Sequence, residues 1–159
     1  MERLVRLGAD YRLRTPSDGF TPLFSAISND NPEILRRLAT VIQEKDKISL
    51  KDAVTDVDAR GWTPLHVAVE KRRFEAVKEL LGLGADPFAV STPLLGERFC
   101  EEMVGRRVSP IDLASHKGRD VLEKFECLMR ESGKHETYMD EEGDVFWPAS
   151  MGDEEKLPR

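Results

Sequence analysis

One short phrase occurs three times along the chain. Gly19–Ile27 reads GFTPLFSAI, Gly61–Val69 reads GWTPLHVAV and Arg107–Ser115 reads RVSPIDLAS. Each sets a hydroxyl residue, a proline and an apolar residue in succession: Thr21-Pro22-Leu23, Thr63-Pro64-Leu65 and Ser109-Pro110-Ile111. A Ser or Thr side chain caps a helix by accepting from a free backbone N–H of the first turn. Proline suits the next position, where the N–H it lacks is not needed. Each phrase therefore predicts a helix start. Ala26, Ala68 and Ala114 recur five residues after the cap, where a small side chain lets a second helix approach. That second helix follows each time. Phe74, Val77, Leu80 and Leu81 form one apolar stripe at helical spacing, and Gly84 ends it as a helix C-terminal glycine does. Ile34, Leu35, Leu38, Val41 and Ile42 form the stripe of the first copy, and Val121, Leu122, Phe125, Leu128 and Met129 that of the last.

The pattern resembles the ankyrin repeat, whose period is about 33 residues and whose T-P-L-H-x-A signature precedes two antiparallel helices. Asp58–Pro87, DARGWTPLHVAVEKRRFEAVKELLGLGADP, carries the turn Asp and Gly, the TPLH, the second-helix pattern and the closing GAD. The opening LVRLGADYRL resembles the end of a further repeat, with Leu4, Val5 and Leu7 on its second helix and Gly8-Ala9-Asp10 as its closing turn. The resemblance spans residues 1–130 and implies an all-α ankyrin-repeat solenoid of helix-turn-helix units joined by β-turns. The expected organisation is a partial repeat over 1–14, a repeat with an inserted loop over 15–57, the best-matching repeat over 58–89, an inserted loop with a degenerate repeat over 90–130, and an acidic tail over 131–159. The first unit lacks its own first helix. A terminal repeat needs a polar outer face, which Leu4, Val5 and Leu7 do not supply, so a fragment of a longer ankyrin protein is favoured over a degenerate cap.

The departures from the pattern are specific. Thr21 to Thr63 is 42 residues and Thr63 to Ser109 is 46, about 9 and 13 beyond the family's period. One insertion is placed at residues 43–55, where SLKDAV reads as a turn of helix. The other is placed at 90–106, where STPLLGERFCEEMVG begins like another copy without a second helix to follow, so the last repeat is started near Arg106. At the bend between paired helices the family prefers glycine. Gly118 matches, Asp30-Asn31 tolerates left-handed angles, and Arg72 fits poorly.

Charge and cysteine usage bound the function. Residues 131–159 hold nine acids against three bases, which accounts for the whole formal charge of −6 and leaves a neutral body. A neutral body offers no electrostatic footprint for nucleic acid. The tail's composition predicts an extended, disordered segment, with Tyr138, Phe146 and Trp147 as recognition elements. Cys100 and Cys127 are far apart and form neither a C-x-x-C motif nor a disulfide framework, which fits a reducing compartment. The N-terminus has no long apolar core of a signal peptide, and no run approaches the roughly 18 apolar residues of a membrane helix. The expectation is an intracellular, cytoplasmic or nuclear, monomeric protein.

Catalytic constellations are not found. His66 stands where the other copies have Phe24 and Asp112. It reads as a histidine bonded back to Thr63 or to a neighbouring turn rather than as a base or ligand. His116 and His135 lack metal-site spacing, and no phosphate loop or nucleophile elbow is present. No cofactor or metal is expected, and no enzymatic activity.

What the resemblance implies is binding. Ankyrin partners meet the turn tips and the exposed face of the first helices. Carried onto this chain, the tip positions are Phe20, Trp62 and Val108, with Arg60 and Glu70 beside them. Large aromatics anchor interfaces. For Phe20 and Val108 packing onto the adjacent turn is the favoured alternative, whereas Trp62 is read as an interface anchor whose loss leaves stability within about 1 kcal/mol. Lys71, Arg72 and Arg73 end one first helix, and His116, Lys117 and Arg119 the next. Stacking would join them into a basic patch able to bind an anion, the chain's own tail being one candidate. Cations at helix C-termini are otherwise ordinary. The resulting expectation is a non-catalytic scaffold for a protein partner; the alternative is a structural fragment with no partner of its own.

Overall fold

The computed structural model describes residues 10–45, 47–91 and 107–133. The partial first repeat up to Ala9, the STPLLGERFCEEMVG segment beyond Ser91 and the tail beyond Gly133 lie outside the described residues. Among these residues the regular elements are all helices: α1 Pro22–Ser28, α2 Pro32–Lys45, α3 Lys47–Thr55, α4 Pro64–Glu70, α5 Phe74–Gly82, α6 Pro110–Lys117 and α7 Arg119–Glu131. The three phrases start α1, α4 and α6. Thr21, Thr63 and Ser109 hold extended backbone (ψ 168°, 164° and 163°), and proline follows as the first helical residue each time. The second helices are α2, α5 and α7.

The helices stack in two rows. First helices α1, α4 and α6 lie side by side, as do α2, α5 and α7, and each first helix also packs on its own second helix. One apolar core runs through both rows. Leu35, Leu38, Val41 and Ile42, then Val77, Leu80 and Leu81, then Val121, Phe125, Leu128 and Met129 are all buried, as the stripes require. Ala26, Ala68 and Ala114 are buried at 4%, 0% and 0% exposure, small enough to bring the paired helices together. Ile34 departs from its stripe at 36% exposed.

The insertion between the first two phrases is more than a turn. It lengthens α2 and adds α3, which packs against α2 and α4 and buries Leu50 and Val54. The Arg14 guanidinium ties the segment after α3 to the first tip, pairing with the Asp56 carboxylate and donating to the carbonyls of Val57 and Gly19.

Each tip closes by the same two-way clasp. Thr15, Asp58 and Ser91 donate their backbone N–H to the carbonyls of Phe20, Trp62 and Val108, each at 2.9 Å. Their side-chain oxygens accept in return from the N–H groups of the same residues, at 3.0, 2.9 and 3.1 Å. Asp58 and Ser91 are 33 residues apart, one ankyrin period. The Ser91–Val108 clasp therefore stands one period after the Asp58–Trp62 clasp.

Candidate partner-binding face

The clasp fixes the residue before each cap, and its side chain folds onto the helix that follows. Phe20 stacks on Phe24 with ring centroids 5.4 Å apart, and Trp62 stacks on His66 at 5.9 Å. Trp62 is 0% exposed and Val108 3%, whereas Phe20 is half-buried. The expectation that Trp62 stands out from its tip as an anchor is corrected here: it belongs to the core, as does Val108, for which packing was the favoured reading. The Arg60 guanidinium lies over the Trp62 ring, 4.3 Å from its centroid. It is held there by Asp58, whose Oδ2 accepts from Arg60 Nε and Nη2 at 2.9 and 2.8 Å. The Asp58 side chain is fully buried, yet it meets four donors across its two oxygens, counting the N–H groups of Arg60 and Trp62. A buried carboxylate is tolerable only when satisfied in this way. What faces outward is the edge of Arg60, with Glu70 3.7 Å away.

His66 is fully buried and braces two repeats. Its Nε2 lies 2.7 Å from the Val108 carbonyl, which can only accept, so Nε2 carries the proton. Nδ1 then accepts from the Thr63 backbone N–H at 3.2 Å and from its hydroxyl at 2.8 Å. Both readings given to this side chain, a bond back to Thr63 and a bond to a neighbouring turn, hold together. Burial is the main reason its pKa falls from 6.5 to about 4, with the Val108 carbonyl opposing the shift. Asp112 serves its own cap likewise, its Oδ2 accepting from Ser109 N–H at 2.9 Å. His66 and Asp112 are thus two chemical solutions to one capping box, a shared task that the residue types alone concealed.

The basic residues at the helix ends are brought into contact with acids and carbonyls. Arg72 donates to the Lys117 carbonyl at 3.0 Å and to Asp120 at 3.4 Å. Arg73 pairs with Asp30 of the preceding repeat at 2.8 Å, and Arg119 with Glu123 at 2.9 Å. Arg72 and Arg73 tie neighbouring repeats together and Arg119 pairs within its own helix, so the charge expected for an anion patch is largely offset. Lys71 and His116 are exposed and Lys117 is half-buried. Among the described residues no cluster of three His, Cys, Asp or Glu side chains is arranged to hold a metal, and no helix is long and apolar enough to cross a membrane.

Paired helices, clasped tips and TPLH bracing together define a class of stacked-repeat protein. The family model for ankyrin repeats (3 copies) matches residues 1–90, and the chain belongs to that family. Among solved structures, the ankyrin repeat domain of Bcl-3, a member of the IkappaB protein family, superposes with a TM-score of 0.56 at 20% identity, covering 77% of this chain and 43% of that one. The chain thus spans less than half of that relative. A chain of the complex between the yeast ribosomal protein Rps3 and its chaperone Yar1 gives a TM-score of 0.59 at 21% identity, covering 78% of both chains. These identities establish likeness of fold. No curated protein matches the sequence.

Proposed function

We propose that the chain is a non-catalytic protein-binding scaffold, acting as a monomer in the cytosol or nucleus. It would engage a protein partner through the outer edges of its tips and the adjoining ends of its first helices. The observation that carries this reading is the hydrogen-bonded closure of the first two tips. Each is clasped at both backbone and side chain, and the first two are joined by a hydrogen bond from Ala59 N–H to the Asp18 carbonyl at 3.1 Å. A surface ordered in advance loses little conformational entropy on binding. The partner-facing set is the exposed edge of Phe20, Arg60, Glu70, Lys71 and His116, with Trp62 and Val108 withdrawn. Membership in the ankyrin family supports the reading, since its stacked units present extended binding surfaces.

The test is site-specific photo-crosslinking in cell extract. A photoreactive residue is placed at Glu70, Lys71 or His116, and in parallel at Lys78 or Lys124 on the second helices. Protein adducts confined to the first group support the proposal. Adducts formed equally from both groups, or from the second alone, refute it.

A further inference from the structure

The tips carry a chemistry that binding alone does not use. Four hydroxyl residues within the described segments are followed directly by proline: Thr15, Thr21, Thr63 and Ser109. Three are helix caps buried at 5%, 7% and 3% exposure. Thr15 alone among them is exposed, and it lies outside any helix, in the chain leading into the first tip. We propose that Thr15 is a phosphorylation site for a proline-directed protein kinase using ATP. In the transfer, Thr15 Oγ1 forms a bond to the γ-phosphorus while the bond from that phosphorus to the β–γ bridging oxygen breaks. ADP leaves, and the hydroxyl proton passes to the kinase's base and then to water.

The first tip is suited to an anion at this position. Thr15 occupies the clasp position that Asp58 holds in the next repeat, where a carboxylate accepts the Trp62 N–H and pairs with Arg60. In the first repeat the hydroxyl accepts the Phe20 N–H, and the neighbouring arginine, Arg14, turns to Asp56 instead. A phosphate adds nearly two negative charges and three strong acceptor oxygens. It can keep the Phe20 N–H bond and compete with Asp56 for Arg14, loosening the tie between the first tip and the segment after α3. It also places new charge beside the Asp18–Ala59 junction of the proposed binding face.

The experiment uses the full chain with Mg-ATP and a proline-directed kinase. Incorporation is followed residue by residue by tandem mass spectrometry, in a Thr92→Ala background because Thr92-Pro93 repeats the dipeptide. Buried caps react only through local opening, so Thr15 should be modified at least about ten-fold faster than Thr21, Thr63 or Ser109. Pro16→Ala, which leaves the Thr15 hydroxyl in place, should slow the Thr15 reaction. No phosphate at Thr15, comparable rates at the buried caps, or a Thr15 rate unaffected by Pro16→Ala would each overturn the assignment.

Discussion

His66 meets its three hydrogen bonds in one tautomer only. Protonation would place a hydrogen on Nδ1 facing the Thr63 N–H and would charge a fully buried ring. With the folded pKa near 4 against an ordinary 6.5, the unfolded chain binds more protons between those values. The stabilisation is therefore complete above pH 6.5 and is lost as pH falls toward 4, on the order of 3 kcal/mol in all. Urea unfolding at pH 7 and at stepped lower pH should show the loss, and His66→Gln should flatten it. Trp62 gives a second measurable outcome. As the largest fully buried side chain, its removal should cost about 3–5 kcal/mol rather than the small change expected of an exposed tip. Denaturation of Trp62→Ala measures this directly. The helix starts were legible because they are local chemistry, and capping boxes form at Thr63 and Ser109 while the Thr21 side chain makes no cap hydrogen bond. The burial of Trp62 was not legible, because it depends on the clasp to Asp58 and the roof made by Arg60, and both follow from the turn's closed geometry.

At the level of the helix pair, the bends are where sequence and backbone disagree most. Asp30 and Arg72 hold φ of 54° and 56°, left-handed values that burden a side chain by about 1–2 kcal/mol. Both bends close alike: Asp30 and Arg72 N–H donate to Ile27 and Val69, and Asn31 and Arg73 N–H to Ala26 and Ala68, the double hydrogen bond that ends many helices. Arg72 fits poorly by propensity, yet its guanidinium reaches the next repeat, a partner that no local reading reveals. Arg72→Ala and Arg72→Gly both lose that reach, but only the glycine relieves the backbone. The glycine variant should be the more stable of the two by about 1 kcal/mol in thermal melts. Gly19 poses the opposite case. Its φ is +67°, and a Cβ there would sit 2.9 Å from the Ala59 backbone nitrogen, whereas Gly84 at +96° has nothing within 4 Å. Gly19→Ala should therefore destabilise by about 1–3 kcal/mol, and by more than Gly84→Ala, which paired denaturant titrations can resolve. Helix existence and stripe were readable from spacing. The added α3 was only half legible, since its packing on two other helices decides its length.

Across the described residues, polar side chains join neighbouring repeats beside the apolar core they share. His66 reaches the third tip, Arg73 reaches back to Asp30, Arg72 reaches forward to Asp120, and Arg36 of α2 bonds Glu79 of α5 at 2.7 Å. Counting cations along the sequence suggested a patch, because a count registers charges and not the acids that stacking sets opposite them. The family itself was legible from three phrases, and the clasp at Ser91 was not, because it shows only in its bonds to Val108. Those bonds make tip length an independent variable. Three residues separate Asp58 from Trp62 and sixteen separate Ser91 from Val108, yet the backbone bond across each gap is 2.9 Å. Lengthening a closed loop to that extent costs only about 1.5 kcal/mol. Replacing residues 92–107 by Ala-Arg-Gly should thus leave a folded protein, more stable by roughly that amount in urea titration. The clasp then acts as a socket, and what is plugged into it can be exchanged without consulting the rest of the stack.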